Sequence, residues 1–174
     1  SLGVAKAWEE AALAVDLPQT RTVLLRSAMV MSPDKGGVFD TLLGLVRWGL
    51  GGRVGSGQQF VSWIHEQDFV RTVRWLIAHP EMDGAVNLAS PCPLPQAAFM
   101  LQLRQAWGMP LGLPAAGWLL ELGALALQTE TELILKSRRV VPTRLQQAGF
   151  DFHYPDWSDA AKELVQRWRE NKRG

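Results

Sequence analysis

Trp63 and His65 stand two apart in the apolar run FVSWIH, so strand alternation places both rings on one face. Such a pair can give a small molecule an aromatic wall and a polar contact. A histidine there can instead satisfy the backbone of the helix that follows. Just upstream, residues 49–57 (GLGGRVGSG) contain five glycines in nine positions. A loop of this kind lets backbone N–H groups approach a ligand where side chains would block it. It marks Gly55, Gly57 and the adjoining Gln58 as ligand-facing candidates. Arg26 lies inside an apolar run, and a cation there needs a partner. That partner is either a ligand phosphate or a carboxylate such as Glu9 or Asp68.

Other chemistries find no support. The three histidines lack metal-ligand spacing, and Cys92 is the only cysteine, so no metal centre or internal disulfide is expected. The lone cysteine suits a reducing compartment, and a cytoplasmic location is expected. A net charge of +1 does not mark a nucleic-acid binder. No secretory signal is expected from the opening SLGVAK, and no apolar stretch is long enough to span a bilayer. The segment GSGQQF comes close to a dinucleotide fingerprint but fails. Phe60 replaces its third glycine, and a strand, not a helix, follows. A phenol with a cation beside it is one pair that could do acid–base work on a carbonyl or hydroxyl. The single tyrosine, Tyr154, is followed four positions on by Ser158, so no catalytic residue is assigned. Eight tryptophans mostly serve as core filling.

The elements that must position these residues follow from periodicity and punctuation. Residues 2–15 read as a helix, 21–31 as one buried strand, and 38–48 as a helix with Phe39, Leu42, Leu43 and Val46 inward. Residues 60–65 read as a strand. The next helix starts near Asp68, whose carboxylate suits its free N–H groups, and ends before Pro80. A strand at 85–88, a proline-rich connector and a helix at 96–107 complete an alternating α/β pattern. After Gly108 the texture becomes helical, with helices at 115–127, 130–135 and 156–170, a turn of helix at 142–147, and one weak strand at Val140 and Val141. Two parts are therefore expected: an α/β part over 1–107 and a mostly helical cap over 108–174.

Several phrases together resemble the extended short-chain dehydrogenases/reductases of the sugar-nucleotide-epimerase-like kind. They are RTVLLRSAMVMSP from Arg21, the run GLGG…GSGQQ…SWIH, GAVN from Gly84, KSRRVVP from Lys136, AGFDF from Ala148, and Tyr154-Pro155. The resemblance covers essentially the whole chain. It implies an α/β fold that is the C-terminal part of a Rossmann-like dehydrogenase plus a helical substrate cap. It also implies that the N-terminal nucleotide-binding half is absent, and with it the Gly-x-x-Gly-x-x-Gly turn. The helix around Trp8 and Glu9 takes the place of the one that carries Tyr-x-x-x-Lys. Here the lysine position falls on Ala5, with Lys6 next to it.

The resemblance further implies site roles. Arg26, Ser27, Ala28 and Met29 would pass beside the nicotinamide. Gly55, Gly57, Gln58, Trp63 and His65 would define the substrate, and Arg138 and Arg139 of the cap could hold its phosphate. The function expected is the substrate-side half of an NAD(P)-dependent epimerase, dehydratase or reductase, with a nucleotide-sugar as one possible substrate. The chain alone is expected to be inactive and to bind no NAD(P). The alternative is a non-catalytic ligand-sensing or protein-interaction module. No nucleic-acid or membrane partner is expected, while an exposed sheet edge would favour self-association.

Overall fold

The computed structural model describes residues 2–15, 18–114 and 137–172. The helices expected at 115–127 and 130–135, with Lys136, lie outside the described residues.

Two parallel strand pairs form the centre. Strand β1 (Val23–Ser27) runs beside β5 (Gly84–Leu88), from Val23 opposite Gly84 to Ser27 opposite Leu88. Strand β2 (Met29–Met31) runs beside β4 (Trp63–His65), with Met29 opposite Trp63 and Met31 opposite His65. Parallel pairing demands crossovers, and helices supply them. Helix α1 (Leu2–Leu13) precedes β1. Helix α2 (Val38–Arg47) lies between β2 and β4, and α3 (Glu66–Ala78) lies between β4 and β5. A short antiparallel pair joins β3 (Phe60–Val61) to β6 (Leu94–Pro95). Then come α4 (Gln96–Trp107), α5 (Thr143–Gln147) and α6 (Trp157–Asn171).

Each helix is set by its own sequence. In α2, Phe39, Leu42, Leu43 and Val46 recur at helical spacing and are all buried, with Asp40 in the first turn and Arg47 in the last, as the helix dipole favours. Gly108 closes α4 at φ 87°, a left-handed turn that suits glycine. In α6, Trp157, Ala160, Ala161, Leu164, Val165 and Trp168 form one buried stripe.

These stripes build two apolar layers. One joins β2, β4, α2, α4 and α6 around Trp63, Phe99 and Trp157, with the Phe99 and Trp157 rings stacked 4.0 Å apart. The other joins Ile64, Leu76, Val86, Leu88, Leu145 and Phe150. Strand β4 separates them: Trp63 faces the first layer, and Ile64, one residue on, faces the second.

Three local expectations change. The strand expected at 21–31 is two strands broken at Ala28, and β1 is not buried: Leu25 is 43% exposed. Among the described residues β1 is paired along one edge only, by β5, which leaves its far side open. The strand expected at 60–65 breaks at Ser62, whose carbonyl accepts the Met29 N–H at 3.4 Å. Asp68 does fall in the first turn of α3, which His65 caps. Val140 and Val141 form no strand.

The expected fold class also needs correction. A fold lacking its nucleotide-binding half is not what this chain shows. The Rossmann-like parallel pairs, their helical crossovers and the helices packed on them form within one chain. In such sheets ligands bind at the carboxyl ends of the strands, and those ends are here, at Ser27, Met31, His65 and Leu88. Among the described residues, no helix is long and apolar enough to cross a membrane.

Candidate functional site

Beside the carboxyl end of β1 and the start of β2 lies a cavity of about 130 Å³, lined by Ser27, Ala28, Met29, Ser62, Arg138 and Val140. Pockets for whole drug-sized ligands run to roughly 300–1,000 Å³, so this one has room for a single ring-sized group. Ala28 interrupts the strand here, where its N–H donates to the Leu88 carbonyl at 2.9 Å. The exposed Ser27 hydroxyl donates to the Ala28 carbonyl at 2.8 Å. Arg138 arrives on the segment 137–140, which docks on β3. The Arg138 N–H donates to the Phe60 carbonyl at 3.0 Å, and the Phe60 N–H donates to Ser137 Oγ at 3.0 Å. Buried Ser62 completes the docking by donating to the Arg138 carbonyl at 2.5 Å and accepting the Val140 N–H at 2.8 Å. The result is an apolar floor of Ala28 and Met29 with two hydroxyls, and Arg138, itself exposed, in the lining. That set suits a flat ring attached to an anionic group.

Ser27, Ala28, Met29 and Arg138 are thus brought together, while the other sequence candidates lie elsewhere. Arg26 forms a two-pronged ion pair with Glu9, both contacts at 2.7 Å, which ties α1 to β1. The hydrogen bond from Arg26 holds the Glu9 carboxyl below the usual carboxylate range. Arg139 lies over the Phe60 ring, 5.0 Å from its centre. In the glycine loop, Gly57 presses on α4 and accepts the Ala97 N–H at 3.0 Å, while Gly55 and Gln58 are exposed.

Trp63 and His65 do share a face, but it points into the core. Trp63 packs edge-on against Trp157, with ring centres 4.9 Å apart. His65 is fully buried beneath Tyr154, their rings stacked at 4.0 Å. The Gln67 N–H can only donate, so His65 Nδ1, 3.1 Å away, accepts and carries no proton. Nε2 then holds the hydrogen and donates to Glu163 Oε2 at 2.8 Å. Burial holds this imidazole below its ordinary pKa, against the opposing pull of Glu163. Tyr154, raised by burial, lies on that histidine and not in the cavity lining. Asp68 is buried inside α3 and accepts the N–H groups of His153 at 2.9 Å and Tyr154 at 2.8 Å. Among the described residues no cluster of His, Cys, Asp and Glu could hold a metal.

Sequence reasoning missed Ser62 and Val140. The signal for Ser62 in the sequence is a polar residue inside the apolar run FVSWIH.

Comparison with known proteins places this geometry. Residues 115–164 match a family described as a domain of unknown function, DUF1731. An epimerase family protein of Mycobacterium bovis is 37% identical over 149 residues, covering 84% of this chain and 48% of that protein. One from Staphylococcus aureus is 32% identical over 160 residues, covering 91% of this chain and 51% of its own length. Among solved structures, the human epimerase family protein SDR39U1 (isoform 2) with NADPH matches at TM-score 0.78 and 27% identity, over 94% of this chain and 54% of that one. A nucleoside-diphosphate sugar epimerase from Corynebacterium glutamicum shares the fold at TM-score 0.71 and 24% identity, over 99% of this chain and 34% of that one. The chain spans about half the length of the curated relatives it matches.

These matches overturn the remaining linked expectations. The likeness runs across nearly the whole chain, so its reading as a truncated C-terminal half is corrected. The expectations of an inactive substrate-side half, or of a non-catalytic sensing module, and of no NAD(P) binding by this chain, fall with it. The human protein matched over 94% of this chain carries NADPH. In sheets of this kind ligands bind at the carboxyl ends of the strands, and this chain has such ends. The chain is epimerase-like, with the Rossmann-like fold of the short-chain dehydrogenases/reductases.

Proposed function

We propose that this chain takes part in an NAD(P)-dependent epimerase, dehydratase or reductase reaction on a small molecule such as a nucleotide-sugar. The observation that carries this reading is the cavity at the carboxyl end of β1. Its size, apolar floor and lining arginine suit one ring of a phosphate-bearing ligand. A nicotinamide bound there would supply the hydride acceptor and donor that this class of reaction needs.

The chain's own residues bind and orient. Ala28 and Met29 offer an apolar surface, Ser27 a hydroxyl beside it, and Arg138 a cation for phosphate on a backbone held at both its N–H and its carbonyl. Residues 108–174 serve as the part that covers the substrate. Gly55, Gln58 and Arg139, all exposed, are the candidates for its outer contacts. Trp63 and His65 support the site from beneath through the packing of β4. The open side of β1, with Leu25 exposed, favours self-association.

The test is a titration of the chain with NADPH, followed by energy transfer from its tryptophans and by competition with UDP-glucose. Saturable binding in the micromolar range, displaced or enhanced by the sugar nucleotide, is expected. Absence of saturable binding by either ligand would refute the proposal.

A further inference from the structure

We infer that Ser62 is a positioning residue for ligand binding, acting by fixing the backbone from which Arg138 reaches the cavity. The inference rests on the proposed reading that the cavity takes a phosphate-bearing ligand.

The geometry is unusual in what it spends on one residue. Arg138 has both of its backbone groups engaged: its N–H by the Phe60 carbonyl at 3.0 Å, and its carbonyl by the Ser62 hydroxyl at 2.5 Å. The same hydroxyl accepts the Val140 N–H at 2.8 Å, so one buried side chain holds the residues on both sides of Arg139. A hydroxyl has one hydrogen to give and lone pairs to receive, and here both capacities are used. No regular strand ladder forms over 137–140, so Ser62 does the pairing that a neighbouring strand would do. The next side chain, Arg139, is drawn off over the Phe60 ring, which leaves Arg138 as the arginine in the cavity lining among the described residues.

A long arginine side chain loses much freedom when it binds. Fixing its Cα removes part of that loss before the ligand arrives, so the hydroxyl should act on affinity through Arg138 and not independently. A merely structural serine would lower stability without this coupling.

The experiment is a double-mutant cycle on the full chain: Ser62→Ala, Arg138→Ala and the double variant, each titrated with NADPH and, in a separate arm, with UDP. The two arms distinguish cofactor phosphates from substrate diphosphate as the anion. Ser62→Ala should weaken binding about tenfold in one arm, and Arg138→Ala at least as much. The double variant should bind within about twofold of Arg138→Ala alone. Ser62→Thr, which keeps the hydroxyl, should bind nearly as wild type. If Ser62→Ala does not fold, Ser62→Cys, with its weak donor, takes its place in the cycle. Additive losses, or an unchanged affinity in Ser62→Ala, would overturn the positioning role while leaving the proposed function intact. A wild-type chain that binds neither NADPH nor UDP would overturn both.

Discussion

His65 Nε2 lies 2.8 Å from Glu163 Oε2, and this contact joins the first turn of α3 to the middle of α6. On the other side of the ring, Nδ1 caps α3 by accepting the Gln67 N–H. Arg167 extends the link, pairing with Glu66 at 2.6 Å and donating to Glu163 at 3.3 Å. Protonating Nδ1 would break the cap, because the amide and the new N–H would then face each other.

Stability should therefore depend on pH in a defined sense. The folded-state pKa of His65 is lowered, chiefly by burial, so the unfolded chain binds the proton more readily. The contribution is fully present above the unfolded value of about 6.5 and is lost as pH falls from there through the folded pKa. Urea unfolding at neutral pH and in mild acid should show a lower midpoint in acid. His65→Ala should cost about 2 kcal/mol at neutral pH and flatten that difference. An unchanged slope in the variant would show that another group titrates.

Gly57→Ala separates the two roles that a loop glycine can have. Gly57 has φ +70°, and a Cβ there would sit 2.9 Å from the Ala97 Cβ on α4. The substitution should destabilise the chain by roughly 1–3 kcal/mol, from strained backbone and overpacking. Affinity for NADPH in the surviving folded fraction should be unchanged. A selective loss of affinity at normal stability would instead make Gly57 a ligand contact.

Ala28→Leu should fill the cavity from its floor. Ala28 is only half-buried, so the longer side chain has somewhere to go, and stability should change by less than about 1 kcal/mol. NADPH titration should lose its saturable phase while the melting temperature holds. Retained binding would place the ring elsewhere.

Leu25→Lys addresses the open side of β1. A charge on an exposed edge strand opposes strand addition. Sedimentation velocity should show less self-association than in the wild-type chain, with the far-UV spectrum preserved. Equal association would point to another surface.

Much of the architecture was legible in periodicity. Phe39, Leu42, Leu43 and Val46 announced α2, and the stripe from Ala160 to Trp168 announced α6, because helix burial follows a fixed spacing. The cavity was half legible. Ser27, Ala28 and Met29 came from likeness to a family, but nothing local in RSAM signals a strand break. Ser62 was hidden because its partners, Arg138 and Val140, are more than seventy positions away. Arg26 offered two readings, and only the meeting of α1 with β1 selected Glu9. For Trp63 and His65, alternation gave the shared face but not what lay against it, since the covering residues Trp157, Tyr154 and Glu163 come from the end of the chain.

Strand β4 lies between two apolar layers, and its three residues alternate between them. A slip of one position along β2 would send Ile64 into the space shaped for an indole and push an indole against Val86 and Leu88. No intermediate register leaves either layer filled. Substitutions that drift into this strand must therefore keep parity as well as polarity: large rings at odd positions, branched aliphatics at the even one. The same constraint makes the two layers melt together, since neither can loosen without releasing the strand that the other grips.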